Sequence, residues 1–372
     1  MTLLILAPND PAIAALQEAF ASHPEVDARV EIIPWENYRE TLDACLAAPK
    51  ATHQAVCVPG HIWLPQLAAD GLLAPLDVPF SNLSKAVVSA YQPDGIFESV
   101  AAECRYNGLP YELPLFTDGH IVFYRSDLIS LPDLVRPSEW HLLLENLKLP
   151  KGVSALAMKA HSSEILLDWL PYLWDFGGAV VDVSGKPVFD SVEGVRALKY
   201  YTSLRRFAPL DSHQYGNGEI LAAMCRGKAA VAVSWGGQAA AMFDPQQNPY
   251  ASKLRTAALA CAWNATWGVS LPANQPADVT LRMTEALLRV MGPACDQAVT
   301  RIAGSPVRMV SYSASEKARY PWLASQERLL ADCRTLPADP TFGPRLGPLY
   351  NAVHSAYTGA KSAEEALHEA AQ

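Results

Sequence analysis

The amino-acid sequence predicts an α/β protein built as two lobes. Its 372 residues exceed what a single hydrophobic core usually organises. The N-terminal part alternates apolar runs of strand length with segments of helical period, the pattern of parallel strands joined by right-handed crossovers. No low-complexity linker or internal repeat divides the chain, so strands themselves are expected to carry it from lobe to lobe.

Thr2 to Leu6 is a continuous apolar run, as in a strand buried on both faces of a parallel sheet. Asp10 is placed to cap the following helix, with Pro11 at its first position, and Ile13, Leu16 and Phe20 keep helical spacing. Residues 29–33 alternate like a strand, and Pro34-Trp35-Glu36-Asn37 lead into a helix carrying Tyr38, Leu42, Cys45 and Leu46. A third strand, Ala55 to Val58, ends at Pro59-Gly60-His61, and the helix after it stops at Gly71. Ligands of such sheets bind beyond the carboxyl ends of the strands. Asn9-Asp10, Pro34-Trp35 and Pro59-Gly60-His61 occupy that position.

Residues 137–181 read as helix-rich and contain Trp169, Trp174 and the turn Phe176-Gly177-Gly178. Asp190-Ser191 open a helix striped by Val195, Leu198, Tyr201 and Leu204. A further helix, a Gly227-Lys228 turn and a strand from Ala229 to Val233 follow, with Trp235 at the strand end before Gly236-Gly237. Residues 266–274 give a short strand stopped by Pro272, and 277–296 one apolar-rich helix. Ser362 and Glu365 form a capping box for the last helix.

Half of the residues are hydrophobic, 18% are charged and the net charge is −9, which fits a globular protein and disfavours a nucleic-acid partner. Seven cysteines, odd in number and without a C-x-x-C pair, read as buried free thiols and lean towards a reducing compartment. No run of about 18 apolar residues is present to span a membrane. The N-terminus lacks a basic region and a small-residue cleavage site. The chain therefore reads either as a protein whose signal has been removed or as a cytoplasmic one.

Enzyme signatures are absent: there is no G-x-S-x-G elbow, P-loop or H-E-x-x-H pair. "YGNG" at 215–218 reads as a turn, and nine scattered histidines with no i, i+4 pair predict no metal site. No catalytic residue and no cofactor are assigned. Asp118 and His120 lack a nearby nucleophile, so a structural or ligand-bonding role is expected of them. Trp35, Trp235 and Trp267 each stand at a turn beside Pro or Gly, and Trp174 lies just before Phe176-Gly177-Gly178. Flat rings with an N–H handle suit the apolar face of a sugar, while Asp, Asn, His and Arg bond its hydroxyls.

The ordering of "VEIIPWENYRETLDACLAA", "LAADGLLAPLD", "NGLPYELPLFTDGHIVFYRSDL", "RPSEWHLLLENLK", "WDFGGAVVD", "CRGKAAVAVSW", "TWGVSLPANQ", "AGSPVR" and "YTGAKSAEEALHEA" resembles the extracellular solute-binding proteins of family 1, over essentially the whole chain. These are the sugar-binding components of ABC importers, the maltodextrin binders among them. Members commonly carry Pro-Asp before the third strand, where this chain has His53-Gln54. The family's usual export signal is also missing.

The resemblance implies a two-lobed periplasmic-binding-protein fold of type II, each lobe a mainly parallel sheet flanked by helices, with hinge closure on a ligand held in the cleft. Lobe one would be about 1–113 and 267–306, lobe two about 114–266 and 307–372, with crossings near 112–116, 265–268 and 305–310. In this reading Glu112 to Phe116 make the first crossing, Thr117-Asp118-Gly119 turns, and Ile121 to Tyr124 begin the second sheet. Asp118 would accept ligand hydroxyls. Asn9, Asp10, Trp35 and His61 would line one wall, Trp174, Trp235 and Tyr350 the other, with Trp267 and Arg308 flanking the hinges. A structural ion pair is the alternative for Arg308. The implied function is non-enzymatic delivery of a mono- or oligosaccharide to an ABC permease by a monomeric, periplasmic or extracellular protein. Alternatives are a cytoplasmic sensor or partner-binding descendant, a binder of a non-sugar such as a polyamine, and a small-molecule enzyme on the same scaffold.

Overall fold

The computed structural model describes residues 2–372, the side chains of residues 344 and 345 excepted. The longer strands are β1 (Leu3–Pro8), β2 (Ala28–Ile33), β3 (Ala55–Pro59), β4 (Glu112–Arg125), β5 (Ser154–Ala157), β6 (Ala229–Trp235), β7 (Leu254–Leu259) and β8 (Asn264–Pro272). The chain forms two compact units. The first takes the chain up to Asp118 with Asn264–Arg319 and Thr335–Thr341, and the second takes Gly119–Trp263, Tyr320–Arg334 and Phe342–Gln372.

In the first unit β1 runs parallel to β2 and β3, and β8 pairs antiparallel with β3. Ile5, Leu6, Val56 and Val58 are fully buried, as a strand sandwiched between helical layers requires. The helix Ile13–Ala21 sets Ile13, Leu16 and Phe20 into this core, and Trp35–Ala47 sets in Tyr38, Leu42, Cys45 and Leu46. Each buried Leu, Ile or Phe contributes about 1.5–3 kcal/mol of transfer free energy. Asp10 caps the first turn by accepting the Ala12 N–H at 2.8 Å, but the helix begins at Ile13 because Pro11 and Ala12 lie in the preceding turn.

The His53-Gln54 departure alters how β3 is entered. Gln54 donates its N–H to Leu4 O at 2.8 Å and accepts the Leu4 N–H on Oε1 at 2.9 Å, clamping the chain against β1. The single helix expected over 277–296 is two helices, Ala277–Val290 and Pro293–Ile302. Gly292 and Pro293 restart it, Pro occupying the first helical position where its missing N–H costs nothing.

In the second unit β6 is antiparallel to β4 and parallel to β5, while β7 runs antiparallel along the other side of β4. Its sheet is therefore mixed. β5 and β7 stand where the sequence reading saw no strand, each being a short apolar run without period-2 contrast. The helix Val192–Ser203 starts at Ser191, which accepts the Gly194 N–H at 3.2 Å, and Ser362 and Glu365 form the expected capping box of the last helix.

Residues 105–125 correct the expected hinge geometry. Arg105-Tyr106 and Leu109-Pro110 pair as a tight hairpin whose Asn107 and Gly108 both have positive φ, as a type I′ turn demands. From Glu112 the chain is one uninterrupted 14-residue strand, with no turn at Thr117-Asp118-Gly119. Pro114 is accommodated because its fixed φ is compatible with extended backbone. The first unit ends at Asp118, five residues beyond the expected 113. Residues 307–319 belong with the first unit and not the second, because Val307 O accepts the Phe97 N–H at 3.1 Å and Arg308 is anchored in that core.

Candidate functional site

Each unit builds a wall of its own. In the first, Asn9 and Asp10 follow the carboxyl end of β1, Trp35 follows β2, and His61 follows β3. The Asn9 N–H bonds Ile33 O at 2.8 Å, which fixes the first two loops side by side. The β3–β8 register sets Trp267 opposite Pro59, so it shares this end of the sheet. Trp35 is 49% exposed and stacks on Trp63, centroids 5.6 Å apart and planes within 3°. Trp267 lies 5.6 Å from Trp35 at a tilt and stacks on Phe116 at 6.0 Å. The sequence-predicted Trp35 and Trp267 thus form one aromatic platform with the unpredicted Trp63, and the predicted Asn9, Asp10 and His61 share its end of the sheet.

Below the platform a buried polar network holds it in place. His61 Nδ1 bonds Thr266 O at 3.1 Å, and burial pulls the imidazole down to about 4, so it is neutral and donates from Nδ1. The Thr266 N–H and Asn264 Nδ2 donate to Glu103 Oε2 at 2.9 and 2.8 Å, and Thr117 Oγ1 donates to Asn264 Oδ1. Burial pushes Glu103 up to about 8 against these bonds, and the adjacent Glu112 carboxyl is also driven well up by burial and by Glu103. Burial likewise raises the Asp10 carboxyl. Asp118 is half-buried at the last position of this unit.

The second wall centres on Trp235, whose place in β6 opposite His120 in β4 brings the rings within 4.3 Å. Trp263 closes edge-on at 5.5 Å, held by its Nε1–H to Leu167 O at 3.1 Å. Lys159 is fully buried, with Nζ 4.5 Å from the Trp235 ring centre, 2.9 Å from His120 Nε2, 3.5 Å from Asp168 Oδ2 and 3.7 Å from Glu164 Oε2. Ammonium only donates, so His120 Nε2 accepts and Nδ1 carries the proton. Burial and Lys159 hold His120 neutral, and burial lifts Asp168 to about 7. Asn217 Nδ2 donates to Glu164 Oε1 at 3.2 Å. Tyr350 is half-buried, its hydroxyl pushed up by burial and by the charges of Glu164 and Asp168.

Among the described residues, the buried His120 Nδ1, Asp168 Oδ2, Glu164 Oε2 and Asn217 Oδ1 have no hydrogen-bond partner. Asp168 Oδ2 and Glu164 Oε2 still face the Lys159 ammonium, whereas His120 Nδ1 and Asn217 Oδ1 are left uncompensated, at about 1–3 kcal/mol each. They are what a polyhydroxylated ligand would satisfy. Lys159, Glu164 and Asp168 were invisible to sequence reasoning, because isolated charges in a helix-rich segment carry no signal of burial, and Asn217, read as part of a turn, opens the helix Asn217–Cys225.

Two expected site residues lie elsewhere. Arg308 is fully buried, donating to Asp296 Oδ1 at 2.7 Å, Tyr91 O at 2.9 Å and Met291 O at 2.8 Å, so its guanidinium is spent on the core in the alternative ion-pair role. Trp174 is only 8% exposed in the helix Ile165–Asp175, with the Arg334 guanidinium 5.7 Å from its ring, and does not join Trp235.

A two-lobed α/β protein with tryptophans at strand ends in each unit has the make-up of a solute-binding protein. The chain belongs to the bacterial extracellular solute-binding protein family, whose model matches residues 6–279. The mannitol-binding protein of Pseudomonas aeruginosa is 23% identical, the alignment covering 94% of this chain and 86% of that protein. Among solved structures, an ABC transporter solute-binding protein of Agrobacterium radiobacter in complex with ribitol superposes with a TM-score of 0.85 at 21% identity, over 100% of this chain and 97% of that one. Maltose-bound MalE3 of T. maritima superposes with a TM-score of 0.84 at 18% identity, over 100% and 98%. No helix among the described residues is long and apolar enough to cross a membrane.

Proposed function

We propose that the protein is the substrate-binding component of an ABC importer and that its ligand is a neutral polyhydroxylated molecule, a sugar or sugar alcohol. The observation that carries this reading is the set of orphaned atoms beside Trp235: one N–H donor on His120 and acceptors on Asp168, Glu164 and Asn217. A hydroxyl donates and accepts, so an array of them satisfies both kinds. A polyamine only donates, and would leave the His120 N–H unmatched with Lys159 as a like-charged neighbour. The mannitol and ribitol named for the relatives fit the same chemistry. The protein works outside the cytoplasm as a monomer, hands its ligand unchanged to a permease, and catalyses nothing. Asp118, which ends the first unit, accepts a ligand hydroxyl in this proposal.

Calorimetry and thermal unfolding with mannitol, ribitol, maltose and spermidine test it. A bound polyol or sugar at about 100 times its Kd adds about 2.7 kcal/mol of stability, and the ligand is recovered chemically intact. Heat from spermidine alone would move the assignment to polyamines; silence across the panel would remove the sugar reading.

A further inference from the structure

A second cluster of chemistry-bearing side chains lies in the first unit, at the opposite end from Trp35 of the helix that Trp35 begins. Cys45 stands near the end of the helix Trp35–Ala47, and the loop after that helix folds back over it. His53 Nδ1 is 4.0 Å from Cys45 Sγ, and Thr52 Oγ1 donates to the same sulfur at 3.5 Å. On its other side His53 Nε2 meets Glu31 Oε2, on β2, at 3.1 Å. The Thr52 hydroxyl also lies 3.0 Å from His53 Nδ1, so it bridges imidazole and sulfur while the Glu31 carboxylate orients the far side of the ring. That is the arrangement that makes a cysteine nucleophilic. His53 is the residue at which this chain departs from the family's usual pair before the third strand.

We propose that Cys45 is a reactive thiol, activated by His53 and Glu31, and that it is a modification site for small peroxides. The thiolate attacks one oxygen of the peroxide and the O–O bond breaks. The departing oxygen takes the proton held on His53, giving a sulfenic acid and water, or an alcohol from an alkyl peroxide. Sulfur loses two electrons and the peroxide gains them. Burial pulls the Cys45 thiol up, but bonds from His53 and Thr52 and the charge of His53 outweigh it and bring it down to about 7. The bond to Cys45 in turn raises the imidazole, against burial and with help from Glu31. Cys45 is only 4% exposed, so a reagent that reaches it must be small, as a peroxide is.

Exposure alone would rank the thiols the other way. Cys225, Cys261 and Cys333 are half-exposed, and burial raises the first two. Buried Cys57 and Cys295 are raised further, to beyond the ordinary range and to about 12.

The test treats the full chain with sub-stoichiometric hydrogen peroxide at pH 7, traps sulfenic acid with a dione after denaturation, and maps each cysteine by mass spectrometry. Cys45 should be modified first. Loss of His53 in His53→Gln should return the thiol to about 8.5, cutting the thiolate fraction from about half to about 3%. The rise in intrinsic nucleophilicity recovers part of this, leaving a slowing of roughly threefold or more. Glu31→Gln, at a half-exposed side chain that leaves the core alone, should slow the reaction in the same direction. Earlier modification of Cys225, Cys261 or Cys333, or unchanged Cys45 rates in Glu31→Gln and His53→Gln, overturns the proposal.

Discussion

Trp35 and Trp63 lie face to face, 5.6 Å between centroids and 3° between planes, although one follows β2 and the other follows β3. The Arg39 guanidinium, 4.8 Å from the Trp63 ring centre, backs the pair. In the proposed binding role Trp35 offers its half-exposed ring as a fixed platform, on which no rotamer entropy would be spent when a ligand arrives.

Replacing Trp35 with Ala should weaken ligand binding about tenfold, near 1.4 kcal/mol, from loss of an apolar stacking face. Unfolding free energy should drop by about 2–3 kcal/mol, because the ring is half in solvent but its contacts with Trp63, Trp267 and Tyr38 are lost. Titration calorimetry beside urea denaturation separates the two, and wild-type affinity in Trp35→Ala would take the platform out of binding.

In the second unit Trp235→Ala should weaken binding and leave a soluble, folded protein whose intrinsic fluorescence no longer responds to ligand. Asp168→Asn is the finer probe. It keeps one acceptor and adds a donor, but it removes the counter-charge that lies 3.5 Å from the fully buried Lys159, so affinity and stability should both fall. Equal affinity in both variants would place the ligand elsewhere.

The sequence made the platform legible because aromatic rings beside Pro or Gly at strand ends are locally visible. Asn9, Asp10, Trp35 and His61 share one sheet end simply because β1, β2 and β3 are parallel. Trp63 carried the same signal, four residues past Pro59, and was overlooked. The acids around Lys159 carried none: Glu164 and Asp168 meet Lys159 and His120 only through β4, the chain just after β5 and the start of the helix Ile165–Asp175. Arg308 misled for the opposite reason, since an arginine after a Gly-Ser-Pro turn looks the same whether it faces a ligand or Asp296.

Arg308→Ala strips Asp296 of its partner inside the core and should cost about 3–5 kcal/mol, read as a fall in denaturant midpoint. Ligand affinity of the fraction still folded should be unchanged. An affinity loss without destabilisation would return Arg308 to the binding site.

Gly268→Ala tests close packing of β8 against β4. A Cβ there would lie 2.4 Å from Leu113 O and 2.5 Å from the Glu112 side chain, and backbone cannot yield as a side-chain tip can. Overpacking of this kind costs about 1–3 kcal/mol, and thermal unfolding without ligand reads it directly.

The protonated Glu103 makes stability depend on pH in a defined direction. Its native value of about 8 lies above the ordinary carboxylate range, so the folded chain keeps a proton that the unfolded chain releases near pH 4.5. Stability contributed by this group is full at low pH and is lost as pH rises towards 8. Glu112, Asp168 and Asp296 act in the same sense, while the neutral His61 and His120 oppose them below about pH 6.5. Between about pH 6.5 and 8 Asp168 and Cys45 also titrate, so Glu103 is read from the difference between the wild type and Glu103→Gln. Glu103→Gln keeps an oxygen for the Thr266 N–H and Asn264, and puts an amide where the protonated oxygen stood. It should flatten the decline by up to about 1.4 kcal/mol per pH unit. Urea denaturation of both proteins across that window measures the difference, and parallel curves would show that Glu103 is ionised in the native state.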